Sequence, residues 1–149
     1  MLKESLKEDL VLVDFDGTSK EEVIDKLLDL LASSGKVKDR EQARQDVKAN
    51  EAAMSTGMQH GIAIPHAKTD AVDELLSAVL ITRNSVDYQS MDGKPARIFI
   101  MTLSPKDDTG PHLRFLAEIG KILKKRRLRK RILAAGSNSE LYRILTSEG

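Results

Sequence analysis

Three histidines and no cysteine are the chain's stock of imidazoles and thiols, and two of the histidines follow a proline. They stand in Gly61-Ile-Ala-Ile-Pro-His66-Ala-Lys-Thr69 and in Pro111-His112. Proline lacks an N–H and stops a strand ladder, so His66 is expected where a short buried strand ends, with Lys68 and Thr69 just beyond it. Strand ends are where α/β proteins set their chemistry. An imidazole with an ordinary pKa near ~6.5 is mostly neutral at pH 7 and offers a ring lone pair as nucleophile; a phosphoryl group is one suitable electrophile. The competing reading is a histidine that only hydrogen-bonds in a loop. His112 falls in the first turn of a helix whose apolar positions are Phe115, Leu116, Ile119, Ile122 and Leu123, and it shares their inward side. A helix N-terminus stabilises a phosphate and lowers the pKa of a histidine held there. Two prolyl-histidine pairs at element boundaries could converge on one cleft.

Metal binding competes for the same residues, since His60, His66 and His112 could supply three nitrogens. There is no i, i+4 histidine pair on a helix and no cysteine, and a strand separates His60 from His66. No metal or cofactor is therefore expected, and His60 is read as a loop hydrogen-bonding residue or part of the cleft rim.

The elements that must position these side chains follow from local pattern. Val11–Phe15 is a β-branched run closed by Asp16-Gly17, a first strand. Ser19 with Glu22 makes a capping box, and Val23, Ile24, Leu27, Leu28 and Leu31 fall on one helical face before Gly35. A second helix opens at Asp39, with Gln42 as reciprocal cap, and runs past Ala43, Val47 and Asn50 toward Met54. After the Ser55-Thr56-Gly57 loop come a strand over 61–65 and two more over 77–82 and 97–103, separated by the Met91-Asp-Gly-Lys-Pro95 turn. Helices are predicted over 111–123, 126–135 and 139–146, the last behind a Ser137/Glu140 cap. The order β-α-α-β-β-β-α-α-α predicts an α/β fold, a mixed sheet with helices on both faces.

At 149 residues the chain is expected to form one domain, 1–149, with a radius near ~15 Å. It is 40% hydrophobic and 32% charged, a balance that excludes disorder. Net charge is +1, so nothing global steers it toward nucleic acid or an anionic membrane, and any anion affinity must be local. The lack of cysteine suits a reducing compartment, and no apolar run reads as a membrane span or secretory leader, so a cytoplasmic protein is expected. The basic run Lys121–Arg131 keeps helical apolar spacing; it reads first as a solvated helix face, second as a surface for an acidic partner, third as a nucleic-acid contact without the aromatic interleaving that would support it.

Val11-Leu-Val-Asp14-Phe-Asp16-Gly-Thr18 resembles the opening motif of haloacid-dehalogenase-type phosphatases. That resemblance implies Asp14 as nucleophile, magnesium, and Asp107-Asp108 as later metal-binding acids. The chain is short for that fold and lacks its alternating βα succession, and a strand, an Asp-Gly turn and a helix cap account for the same residues.

A wider resemblance covers essentially the whole chain. Ser55-Thr-Gly57, the segment from Gly61 through His66 to Thr69, Asp92-Gly93-Lys-Pro and Pro111-His112-Leu together resemble enzyme IIA of the phosphotransferase system, of the fructose, mannitol and nitrogen-regulatory class. Ser19-Lys-Glu-Glu-Val-Ile24 and Glu140-Leu-Tyr-Arg-Ile144 extend the likeness. The resemblance implies that His66 accepts a phosphoryl group from the phosphohistidine carrier HPr or a paralogue and passes it to a IIB domain, with His112 as the second active-site histidine. It further implies that one His66 ring nitrogen attacks while an acceptor such as a backbone carbonyl holds the other, with Thr56, Lys68 and Thr69 in support. One position departs from the family pattern: Asn50 stands where an arginine is common, an amide without charge or guanidinium fork. Its helical face should still aim it at the site. A nitrogen-type regulatory protein that acts by phosphorylation-dependent partner binding is the alternative, and the sugar and oligomeric state are not legible.

Overall fold

The computed structural model describes residues 5–147. Its strands are β1 (Val11–Phe15), β2 (Ile62–Ala63), β3 (His66–Lys68), β4 (Leu76–Val86) and β5 (Ala96–Ser104). Its helices are α1 (Lys20–Ala32), α2 (Arg40–Ala53), α3 (Thr109–Leu123), α4 (Arg126–Ala134) and α5 (Asn138–Ser147), and a 3-10 turn, Glu8–Leu10, leads into β1. The mixed α/β fold is as the sequence pattern implies, with one strand more than expected because Pro65 divides a single ladder in two.

The sheet runs β1-β4-β5-β2, and β3 also pairs with β5. β1 is parallel to β4, β4 antiparallel to β5, and β2 and β3 lie parallel to β5 along the same edge. Ile62 faces Ile98 and His66 faces Thr102; between them Ile64 turns its N–H to the Thr56 carbonyl at 3.1 Å. Pro65 has no N–H to give, but its carbonyl accepts from Thr102 N at 3.1 Å, so pairing resumes at His66. His66 thus opens a second short strand; it does not follow the end of one, as the proline alone suggests.

Strand alternation sorts the core into two layers. Ala78, Leu80, Phe99, Met101 and Leu103 pack under α1 and α2, where Val23, Ile24, Leu27, Leu28, Leu31, Ala43 and Val47 are buried. Val79, Ile81, Ile98 and Ile100 face Phe115, Ile119 and Ile122 of α3, Leu128 and Ile132 of α4, and Leu141 and Leu145 of α5. The same parity puts His66, Thr102 and Ser104 on the α3 side. Ser19 Oγ accepts from Glu22 N at 3.1 Å and Asp39 from Gln42 N at 3.1 Å, so both N-caps form. The return half of the second box does not: the Gln42 amide donates to Asp46, one turn further on. Among the described residues no helix is long and apolar enough to cross a membrane.

Topology removes the aspartate-phosphatase alternative. Phe15 sits opposite Thr82 near the C-terminal end of β4, whereas β5 ends beside the N-terminal end of β4, Leu103 opposite Leu76. Asp14 and the Asp107-Asp108 pair that follows β5 therefore lie at opposite ends of the sheet. Asp14 is engaged by Arg83, Nε to Oδ1 at 2.9 Å, which holds its carboxyl below the ordinary value.

In the basic run, Arg129 Nη1 donates to the carbonyls of Leu123 and Lys124 at 2.8 and 2.9 Å. Part of that charge closes the C-terminus of α3.

Candidate functional site

His66 is half-buried at the start of β3, and its Nδ1 lies 2.7 Å from the Ile64 carbonyl oxygen. A carbonyl only accepts, so the neutral ring carries its hydrogen on Nδ1 and keeps its lone pair on Nε2. His112 is buried in the first turn of α3, at 5% exposure. The two rings stand 5.5 Å apart between centroids, tilted by 53°. Residues 46 positions apart in sequence thus meet because β5, next to β3, feeds directly into α3.

His112 Nδ1 pairs with the Ser104 hydroxyl at 2.7 Å. Burial, then the nearby His66 and Lys68, lower its pKa to about 4. His112 is therefore neutral throughout the physiological range. Because the unfolded chain would protonate it near ~6.5, the unfolded state binds more protons between those values, and stability must rise with pH across that window. The contribution is fully present above about pH 6.5 and is lost as pH falls toward 4, on the order of 3 kcal/mol in all. Denaturant unfolding of wild type and His112→Gln between pH 7.5 and 4.5 should show the steeper loss in wild type; parallel curves would contradict this.

Asn50 is exposed at the end of α2, not packed inward with Ala43 and Val47, yet its amide donates to the His66 carbonyl at 3.0 Å. Arg44 is not available as a substitute cation, being paired with Asp25 at 2.9 Å. Lys68 Nζ donates to Thr109 Oγ1 at 2.8 Å and so bridges β3 to the N-terminus of α3. Thr56 lies on the groove beside His66, with its hydroxyl and N–H both given to Glu51, at 2.5 and 2.8 Å. Thr69 is not brought to the site: it is fully buried, and its hydroxyl accepts from Ala71 N in a turn.

Sequence reasoning missed Glu51. Burial pushes its carboxyl up, but hydrogen bonds from Thr56 and Lys20 outweigh that and leave it below the ordinary value. Lys20 Nζ reaches it at 2.9 Å, and the Tyr88 hydroxyl at 3.4 Å. This cluster ties α1, α2 and the Ser-Thr-Gly loop together. Gly57 completes the loop, because a Cβ there would fall 2.7 Å from the Ser90 Cα. Sequence reasoning also missed Ser104, whose only signal is its place at the end of a strand.

His66 opens onto a groove of about 380 Å³ lined by Met54, Gly57, Met58, Met91 and Leu116 among others. An adjoining hollow of about 660 Å³ shares Met58, Ile64, Met91 and Gly120 with it and is rimmed by His60 and Lys124. Met54 and Met91 on this groove are 69% and 75% exposed. Among the described residues no group of three or more histidine, aspartate and glutamate side chains is placed to hold a metal ion.

Two imidazoles, one half-buried and one buried, thus meet at the mouth of an apolar groove on a mixed α/β sandwich. The chain belongs to the family described as phosphoenolpyruvate-dependent sugar phosphotransferase system, EIIA 2, whose model matches residues 4–148. It is 32% identical over 144 residues to the fructose-specific EIIABC component of Bacillus subtilis, covering 97% of this chain and 23% of that protein. It is 34% identical over 137 residues to the fructose-specific EIIA component of Haloferax volcanii, 92% of this chain and 89% of that one. It is 32% identical over 134 residues to the nitrogen regulatory protein of Pseudomonas aeruginosa, 90% and 87%. The fold matches enzyme IIA mannitol in its complex with phosphorylated enzyme IIB mannitol from Escherichia coli with a TM-score of 0.82 at 19% identity, over 95% of this chain and 97% of that one.

Proposed function

We propose that this chain, as one domain over residues 1–149, is a cytoplasmic phosphohistidine carrier of the sugar phosphotransferase system. It takes phosphate on His66 from HPr or a paralogue and passes it to a IIB domain. The observation that carries this is the Nδ1 contact of His66 with the Ile64 carbonyl, which leaves Nε2 as the nucleophile beside a second, neutral imidazole. The Nε2 lone pair forms the new N–P bond as the donor's N–P bond breaks and its electron pair stays on the donor ring. The donor's phosphohistidine enters protonated on its other ring nitrogen and leaves as neutral imidazole, so no proton has to move between the two rings. The transition state is loose, with charge spread over three oxygens, so the protein's contribution is positioning and donors. His112 and the free N–H groups at the start of α3 supply the donors. The positive ring that results is eased by the Ile64 carbonyl on Nδ1–H.

Partner docking on the methionine-lined groove fits this role, because methionine adapts to more than one apolar surface and a carrier must meet a donor and an acceptor in turn. The E. coli mannitol IIA relative meets its IIB partner as a complex, which supports a IIB domain as acceptor here.

A second reading is a nitrogen-type regulator in which phosphorylation alters partner binding at the same face. The amide at Asn50, with no charge to hold the transferring group, and the likeness to the P. aeruginosa nitrogen regulatory protein favour it. Incubation with phosphoenolpyruvate, enzyme I and HPr should label the wild-type chain with phosphate; no label from HPr or its nitrogen-branch paralogue overturns the carrier. Asn50→Arg should label about tenfold faster, since a guanidinium adds charge-assisted donors. An unchanged rate would mean that the amide is sufficient.

A further inference from the structure

The Ser104–His112 contact has a direction that the chemistry of its two groups decides. The Ser104 hydroxyl is completely buried, and His112 Nδ1 is its hydrogen-bond partner at 2.7 Å. Its neighbour on the same face, Thr102, has a hydroxyl without any partner, so Thr102 does not accept the Ser104 hydrogen. The Ser104 backbone carbonyl is taken by Thr69 N at 2.8 Å. Were His112 to donate from Nδ1, the buried Ser104 hydroxyl hydrogen would have no acceptor among the described residues, an arrangement the interior penalises. With the hydroxyl as donor the buried Ser104 hydrogen has its acceptor, Nδ1 holds the ring's lone pair, and the ring hydrogen is on Nε2.

We propose that Ser104 is a positioning residue that locks His112 in the Nε2–H tautomer, making it a fixed hydrogen-bond donor at the site it shares with His66. The inference rests on the carrier reading and deepens it. Two imidazoles of one chemical type acquire opposite roles from their Nδ1 partners. A carbonyl forces His66 to keep hydrogen on Nδ1 and a lone pair on Nε2; a hydroxyl forces His112 into the reverse. One ring becomes the acceptor of the phosphoryl group and the other, itself neutral, the donor to its oxygens. A neutral donor of this kind stabilises developing negative charge without first repelling an incoming cationic ring. Each tautomer is set by the partner of Nδ1, a backbone carbonyl for His66 and a buried hydroxyl for His112.

The test uses the full chain labelled with 15N-histidine, in wild type, Ser104→Ala and Ser104→Thr. Long-range proton–nitrogen NMR at pH 7 should show wild-type His112 with its hydrogen on Nε2, a mixture or the Nδ1–H form in Ser104→Ala, and the wild-type pattern restored by the hydroxyl of Ser104→Thr. Phosphoryl transfer from phosphorylated HPr should fall about tenfold at saturating donor in Ser104→Ala, with the half-saturating concentration little changed, and recover in Ser104→Thr. Wild-type His112 with hydrogen on Nδ1 overturns the proposal, as does a Ser104→Ala variant with unaltered tautomer and rate. If Ser104→Ala does not fold, the wild-type tautomer and Ser104→Thr still decide. A wild-type chain that takes no phosphate overturns the carrier reading instead, and the tautomer measurement continues to judge the role of Ser104 independently.

Discussion

His66→Ala is expected to abolish phosphorylation by phosphorylated HPr, lowering the rate at least ~10³-fold, the scale for loss of a residue that forms the covalent intermediate. The other two imidazoles are poor replacements for different reasons. His112 is buried, and its Nδ1 is occupied by Ser104. His60 is exposed, but it rims the adjoining hollow and has no second imidazole next to it. The phosphoryl group on wild-type protein should sit on Nε2 of His66, because Nδ1 is held by the Ile64 carbonyl at 2.7 Å and a phosphoryl group there would have to displace that bond. Phosphorus NMR on the labelled protein distinguishes the two isomers. Label persisting in His66→Ala, or attached to Nδ1 in wild type, would show that the nucleophile has been misassigned. A loss confined to HPr as donor, with a small phosphoryl donor still labelling His66→Ala, would indicate that the substitution had damaged docking and not removed the acceptor.

The sequence made the boundary elements visible and hid the contacts between them. β1, α1 and the opening of α2 come from short-range chemistry: a β-branched run, an Asp-Gly turn, serine and aspartate caps with partners three residues on. Such signals act within a few residues and are legible without tertiary knowledge. A proline removes a donor and so points to a strand end at Pro65, but the ladder needs only the proline's carbonyl there, and which group a ladder uses depends on the partner strand. Thr69 beside Lys68 looks like a site residue in one dimension; the turn after β3 sends it into the core. Asn50 stands on an exposed helix end, not on the inward face of Ala43 and Val47, and its amide reaches the His66 carbonyl, a contact that helical spacing alone does not show. Ser104 and Glu51 carry no local signal, since each matters through a residue that only the fold brings near. The three groove methionines are similar: Met54, Met58 and Met91 sit in two separate loops, and only the packing of β2 against β5 collects them around His66.

His112→Ala should leave docking intact and slow transfer to His66 about 10²-fold, the cost of removing one donor that acts only on the developing charge. Its ring is almost fully enclosed, so truncation removes little surface from a partner's view and the half-saturating HPr concentration should stay close to wild type. His112→Gln separates donor from acid. Its amide can place an N–H near the vacated ring position but cannot release a proton, so transfer should recover to within about tenfold of wild type if hydrogen bonding is the whole contribution. A proton-donating His112 would give a different pattern: no recovery with glutamine, and a wild-type rate that changes with its titration. With a pKa near 4, forced down by burial first and then by His66 and Lys68, His112 is already deprotonated at pH 6 and should impose no limb on the rate between pH 6 and 8. A wild-type profile whose limb in that range disappears in His112→Gln would replace the neutral donor with an acid. The opposite result, flat in both proteins with the glutamine variant close to wild type, would tie catalysis to an imidazole whose value lies in staying neutral.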